Sequence, residues 1–379
     1  NITASSGVQL TRSDGYFLIT NFDLKDRYII DALLRNDGSS LFGPNERRHW
    51  YHRLGLAWRV SQEDWFNVAG INEFKLRYSH GSAGGRPRWS AQYETYNVGS
   101  GIVSPVTLGN RDLRPEHSVE QEFGVDLVLF DRMTATVNYA TTTTTDQILQ
   151  VPQSPWKGFS SRWENAGTLE SNTFEASLDL RVIERPNFSW TTRFIYDRTR
   201  QKITELSVPA YTTGVSGQGM DAVFYVREGE ALGTFYGTQI ATSCDHLPEG
   251  VSCDGFAIND DGFLVWVGDA GSPDKGWETY TDADGKTRYW WGTEGPEING
   301  AKVMWGTPFK GLCVDRVSGE QTDYCELGRT TPDYKFSLMN TITWGNLSIY
   351  GLIDAVQGVS VYNQPLQWSV FEFYSGIMD

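Results

Sequence analysis

The side chains best suited to chemistry in this 379-residue chain are few and dispersed. Glu228 and Glu230 stand two positions apart and invite comparison with the carboxylate pair of a glycoside hydrolase. Asn259-Asp260-Asp261-Gly262 and Asp282-Ala283-Asp284-Gly285 carry the oxygen ligands that Ca²⁺ takes. Neither is followed by a distal glutamate in EF-hand register, and polar hairpin turns account for both. The five histidines show no metal-binding spacing. No nucleophile elbow or phosphate loop occurs. No catalytic residues, no metal ligands and no resident cofactor are therefore expected, with Ca²⁺ the one candidate ion. The chain is not expected to be an enzyme.

Four cysteines form two local pairs, Cys244/Cys253 and Cys313/Cys325. The spacing does not suit zinc, and no histidine pair accompanies it. Local disulfides are expected, because closing a short loop costs less chain entropy than closing a long one. They require an oxidising compartment. Pairing across the two groups remains open at this stage. Trp89, Tyr93, Tyr96 and Trp156 lie in long polar segments and are the candidates for ligand binding, since sugars and peptides both pack on exposed rings. Packing within the loops is the plainer alternative. Trp277, Trp290 and Trp291 share this character further along.

The elements that would position these residues are long alternating strands. In 27–37, Tyr28, Ile30, Ala32 and Leu34 oppose Asp31, Arg35 and Asp37. In 50–60, Trp50, His52, Leu54, Leu56 and Trp58 oppose Arg53, Gly55, Ala57 and Arg59. The same alternation predicts strands at 14–24, 71–81, 118–130, 133–143, 165–182, 188–199, 332–344 and 347–359. Short connections (25–26, 61–70, 131–132, 184–187, 345–346) alternate with long ones (38–49, 82–115, 144–162, 200–331). An unstructured loop as long as 200–331 is improbable, so that segment is expected to be a folded excursion. The division is 1–199 barrel strands and loops, 200–331 excursion, and 332–379 hairpin with the start of a further loop.

Composition supports β structure: 39 glycines and 13% aromatics. A net charge of −15 disfavours nucleic acid as a partner. No apolar run approaches the roughly 18 residues of a membrane helix. Barrel strands need only about 9–11. A water-facing sandwich alternates too, but these strands run about twice the usual length of about 5–6 residues. Tyr28, Trp50, Trp58 and Tyr196 gather near strand ends, as interfacial girdles require. Buried dry, Arg35, Arg53, Glu120 and Asp179 would each cost several kcal/mol unless paired. Facing a hydrated lumen, they cost little. The fold class is all-β: a partial transmembrane antiparallel β-barrel, about ten strands of a larger one, with long extracellular loops.

The motifs Arg35-Asn36-Asp37-Gly38-Ser39-Ser40-Leu41-Phe42-Gly43 and Leu56-Ala57-Trp58-Arg59-Val60-Ser61-Gln62-Glu63 resemble the barrel signature of SusC/RagA-like TonB-dependent transporters, which usually has Arg where this chain has Leu41. Lys75-Leu76-Arg77-Tyr78-Ser79-His80-Gly81, Gly109-Asn110-Arg111-Asp112-Leu113-Arg114-Pro115-Glu116, Asn165-Ala166-Gly167 and Gly229-Glu230-Ala231-Leu232-Gly233-Thr234-Phe235-Tyr236-Gly237 follow in the family's order. Because the last motif recurs in non-enzymatic transporters, the resemblance makes Glu228 and Glu230 structural. It implies import of oligosaccharides or peptides across the bacterial outer membrane, and contact with outer-membrane lipid. A SusD-like surface lipoprotein and the TonB complex are the implied partners. Asn1 opens no secretory signal and 371–379 does not read as a closing strand, so a TonB box, plug and further strands are expected outside this chain. The competing classes are a secreted all-β carbohydrate-binding or hydrolytic protein and an outer-membrane barrel enzyme.

Overall fold

The computed structural model describes residues 10–99, 101–214, 222–268, 279–281, 283–289 and 294–371. Trp277, Asp282, Trp290 and Trp291 lie outside the described residues. The chain divides into two compact units. The first comprises 1–211, 226–232 and 330–363; the second comprises 212–225, 233–329 and 364–379.

The first unit is an open antiparallel sheet of ten long strands in sequence order. These are β1 (Ser13–Leu24), β2 (Tyr28–Ser39), β3 (Arg48–Arg59), β4 (Ile71–Gly85), β7 (Glu116–Leu129), β8 (Met133–Pro152), β9 (Ser161–Arg185), β10 (Phe188–Leu206), β11 (Tyr334–Trp344) and β12 (Leu347–Gln357). A short hairpin, β5 (Thr95–Gly99) and β6 (Ile102–Leu108), joins the sheet through a parallel pairing of β6 with β9.

The register explains why alternation in the sequence becomes two walls in space. One row of paired residues crosses all ten strands: Leu24, Tyr28, Trp58, Leu76, Val125, Val137, Ala176, Tyr196, Phe336 and Ala355. The adjacent row, one residue away on every strand, is Asp23, Ile29, Ala57, Arg77, Gly124, Asn138, Glu175, Asp197, Lys335 and Val356. Successive residues point to opposite faces, so the first row lies on one side of the sheet and the second on the other. One face is apolar across the strand centres and turns polar towards the loop end, where His80, Gln121, Thr141, Asn172 and Arg200 share a row. The other is ionic at its centre and apolar only near the two edges.

Tight turns hold one end of this sheet in line. Lys25 and Asp26 have φ of 59° and 54°, and Phe130 and Asp131 both have 54°. Two consecutive positive φ values are what a type I′ hairpin demands. Phe130 is thus a turn residue and not the end of the strand expected over 118–130. Its ring lies against Gly70, where a Cβ would clash with it. Hydrogen bonds run from turn to neighbouring turn, from Arg59 N to Arg27 O, Phe130 N to Gly70 O, Arg181 N to Arg132 O and Gly345 N to Asn187 O. All the short connections therefore share one end.

At the opposite end the structure departs from the sequence reading. The segments 82–115 and 144–162, expected to be irregular, largely extend the strands. β8 runs to Pro152, β9 starts at Ser161, and 82–115 holds β5, β6 and a 3₁₀ turn at Trp89–Gln92. These extensions are rich in Thr, Gln and Gly and do not alternate in hydropathy. Ladder pairing and small buried contacts hold them instead. Most buried apolar side chains of this unit (Phe42, Ala91, Leu113, Val151, Ala166, Ile203) gather here and not among the strand centres, while Val60 is buried at the turn end.

The second unit folds around an ordinary core. Trp266, Leu264, Phe256, Ala241, Leu247, Ile298 and Val303 are buried together. The hairpin Phe256–Ile258 and Leu264–Trp266 supplies three of them. Cys244 is joined to Cys253 and Cys313 to Cys325, each with Cα atoms 5.8 Å apart.

Candidate functional site

The candidate functional surface of the first unit is its polar face, built from cross-strand ion pairs. Arg77 on β4 meets Asp126 on β7 through Nε (2.8 Å) and Nη2 (3.0 Å) and donates to Asn138 Oδ1 on β8 (2.8 Å). Its guanidinium crosses Gly124, where any Cβ would sit 2.7 Å from Cζ. That close approach is the reason for a glycine mid-strand. Lys75 reaches Asp126 at 3.5 Å, Arg193 reaches Asp179 at 3.5 Å and Lys335 reaches Asp197 at 3.3 Å. The carboxylates and cations are interleaved, so the wall is highly charged yet locally neutral.

Between β2, β3, β4 and β7 this face is indented by a trough of about 530 Å³. Its floor is β4, where Ser79, Gly81 and Ala83 offer little side chain. Arg35, Tyr51, Arg53, Glu120 and Thr142 flank it.

Two knots fix the ends of the wall. At the turn end, Glu63 accepts from Tyr28 Oη (2.5 Å), Trp58 Nε1 (2.9 Å) and Arg27 Nη1 (3.4 Å). Its side chain is only 10% exposed. The bond from Tyr28, then that from Trp58, holds its pKa below the usual carboxylate range. Trp65 packs edge-on against Trp58, and Phe66 against Phe74, extending an aromatic cluster around this carboxylate. At the loop end, Asn165 accepts from Arg114 N (2.9 Å) and donates to Arg114 O and Asp146 O (2.9 and 2.7 Å). Asn110 donates to Trp163 O (2.8 Å) and accepts from Asp112 N (3.0 Å). Two sequence motifs far apart in the chain are thereby tied to each other. Sequence reasoning quoted Glu63, Asn110 and Asn165 within motifs but gave them no role. Their signal was a polar residue at a fixed place beside aromatics or glycines.

The candidates singled out from the sequence fall in separate places. Trp89 and Tyr93 form a ring pair 5.1 Å apart, and the backbone of Tyr93 lies against Gly109. Tyr96 packs on Phe159 at 5.9 Å and donates to Glu94, which raises its own pKa. Trp156 is 82% exposed, with Lys157 against its ring. The four are thus one pair and two singles. Glu228 is exposed, whereas Glu230 is 2% exposed and paired with Arg227 at 2.9 Å, so the two carboxylates occupy different environments. Asn259 Oδ1 accepts from Phe263 N, closing a hairpin turn. Among the described residues, no group of three His, Cys, Asp or Glu side chains is placed to hold a metal ion.

The comparisons with known proteins agree with this geometry. The model of the family described as TonB dependent receptor-like, beta-barrel matches residues 2–291. TonB-dependent receptor P39 of Formosa agariphila is 35% identical over 57% of this chain and 21% of its own length. TonB-dependent receptor SusC of Bacteroides thetaiotaomicron is 25% identical over 59% of this chain and 23% of its own. Among solved structures, that of the RagAB peptide transporter superposes with a TM-score of 0.63 at 20% identity, covering 92% of this chain and 34% of that one. The chain thus spans about a third of the length of these relatives, or less.

Proposed function

Because this chain belongs to the TonB-dependent receptor-like β-barrel family, we propose that it forms part of the wall of an importer carrying oligosaccharides or peptides across the bacterial outer membrane. The outer membrane is where proteins of this family lie. The import reading is supported by one observation above all: a ten-strand register with an uncovered apolar face and an ion-paired polar face. Phe123 is 58% exposed, Trp50 64% and Ile353 60%. A soluble protein does not leave so large an apolar sheet face to water. Lipid covers it, and the charged face turns to a hydrated lumen.

In this reading the long-connection end faces outward, where a SusD-like lipoprotein covers it, and the TonB complex supplies the energy. Trp89, Tyr93, Tyr96 and Trp156 contact arriving substrate at the outer rim. No resident cofactor and no catalytic step enter the proposal, and the family is one of receptors and transporters. The test is uptake of labelled oligosaccharides and peptides by cells carrying or lacking the gene, with and without TonB. Accumulation that needs both supports import. Uptake unchanged by loss of the gene, or a product found in the medium without detergent, defeats it.

A further inference from the structure

The trough on the polar wall has the size of a small-ligand site, within the roughly 300–1,000 Å³ range of such pockets. It exists because β4 carries Ser79, Gly81 and Ala83 on the polar face while its neighbours carry long side chains. Arg53, Gly81, Glu120 and Thr142 are paired in one row across β3, β4, β7 and β8. Arg35 and Tyr51 are paired in a neighbouring row.

Its charge, with Asp31 behind Arg53 counted, is balanced where the chain as a whole is acidic. Three guanidinium groups line it (Arg35, Arg53 and Arg86) against two carboxylates, Asp37 and Glu120. The chain as a whole carries −15. Arg35 donates through Nε to Asp37 at 2.5 Å, and Arg53 through Nε and Nη2 to Asp31 at 2.9 and 2.5 Å. These carboxylates hold each fork by one edge. The side chains remain 48% and 52% exposed, and among the described residues the other N–H groups have no acceptor. A planar guanidinium positioned in this way is a ready partner for a second anion. Between the cations stand the hydroxyls of Tyr51, Ser79 and Thr142, with Thr142 donating to Glu120 at 2.9 Å. That mixture of donors and acceptors matches a polyol.

We propose that this trough binds an acidic oligosaccharide, with Arg35 and Arg53 clasping a carboxylate or sulfate group on a sugar ring. The proposal rests on the import reading and narrows its substrate class. The test uses the full-length receptor in detergent and titration calorimetry. The probes are a galacturonate oligomer, its neutral methyl ester, an oligoglutamate peptide and sodium sulfate alone. The galacturonate oligomer binds at least about tenfold more tightly than its ester, as a lost charge-assisted hydrogen bond implies. Its affinity falls as salt rises. Arg35→Gln and Arg53→Gln each weaken it by a similar factor, with heat-modifiable gel mobility showing that both variants are folded.

Equal binding of acid and ester, tighter binding of the peptide, binding of sulfate as strong as that of the oligomer, or unaffected variants each overturns the assignment. Uptake separates the two readings. A receptor that binds the acidic oligomer while cells import nothing leaves the trough standing and removes import. Cells that import neutral sugars through a receptor that does not discriminate leave import standing and remove the trough.

Discussion

Trp266 and Phe123 are both large aromatic residues on β-strands, and their surroundings are opposite. Trp266 is 3% exposed, and Gly255 and Gly295 lie against its ring so closely that a Cβ on either would crowd it. Phe123 is 58% exposed and touches mainly Tyr78 across the strand, with ring centroids 4.9 Å apart. The second unit gathers its apolar side chains inward and ties its loops with two disulfides. The strand centres of the first unit gather nothing: their apolar residues stand on one face with no layer above them. The difference lies in the solvent and not in the residue types. A chain segment surrounded by water must make its own apolar interior. A sheet set in a bilayer is given one by lipid, and needs only backbone pairing and a polar face.

The strongest way to sharpen this contrast is to remove the enclosed ring. Trp266→Ala should cost about 3–5 kcal/mol within the second unit, the usual range for emptying an aromatic core site. Hydrogen exchange of its amides should accelerate, while the strand amides of the first unit and its heat-modifiable gel mobility stay unchanged. If both units lose protection together, they do not rest on separate interiors.

The corresponding change in the wall is Phe123→Arg. A cation near the bilayer midplane of a barrel costs roughly 2–4 kcal/mol. Assembly into the outer membrane should fall, read as the folded fraction in membrane extracts. Glu122→Gln, on the polar face, should assemble normally. The reverse pattern would mean that lipid and lumen have been assigned to the wrong faces.

Much of this contrast was legible beforehand, for physical reasons. Alternation assigns faces wherever one side must be apolar, so the apolar side of Leu76, Val125 and Tyr196 was legible from sequence alone, while the row they share is set by the pairing. The short turns were legible too, although the positive φ at Phe130 shows that a tight turn can recruit an aromatic residue when a glycine, here Gly70, clears room for its ring. What could not be read was pairing without hydropathy. The Thr-rich end of β8 alternates nothing, yet it pairs with β7 as far as Thr145 and with β9 to Pro152. Nor was the trough visible, since it depends on small residues of β4 lying beside Arg53 and Glu120 of its neighbours. Such a depression is a property of register across several strands, not of any one segment.

A smaller effect tests the loop end of the wall. Asn165→Ala leaves Arg114 N, Arg114 O and Asp146 O without their partner. A loss of about 0.5–1.5 kcal/mol is expected, because water reaches most of these groups once Asn165 is gone. Proteolysis should then open the segment 86–115 at concentrations of enzyme that spare the parent protein. Unchanged resistance would show that ladder pairing alone holds this end, as it does at the strand centres.

The smallest effect concerns the turn end of the wall. Glu63 there gathers an aromatic hydroxyl, an indole N–H and a guanidinium. All three donors favour its ionised form, which is why its pKa is lowered. The sign follows from linkage. A group whose folded pKa lies below its unfolded value contributes stability above the unfolded value and loses it as pH falls through the folded one. The contribution of Glu63 should therefore be complete at neutral pH and fade in the acid range. Glu63→Gln keeps the size of the side chain and one acceptor oxygen but has no proton to gain. The melting temperature of the purified receptor should exceed that of the variant at neutral pH, and the gap should narrow on acidification. Acid affects other carboxylates too, including those paired along the polar face, but these are common to both proteins and drop out of the difference. A gap that stays constant with pH would show that the clasp works by shape alone. A gap that widens in acid would mean that the neutral form is the one that holds Tyr28 and Trp58.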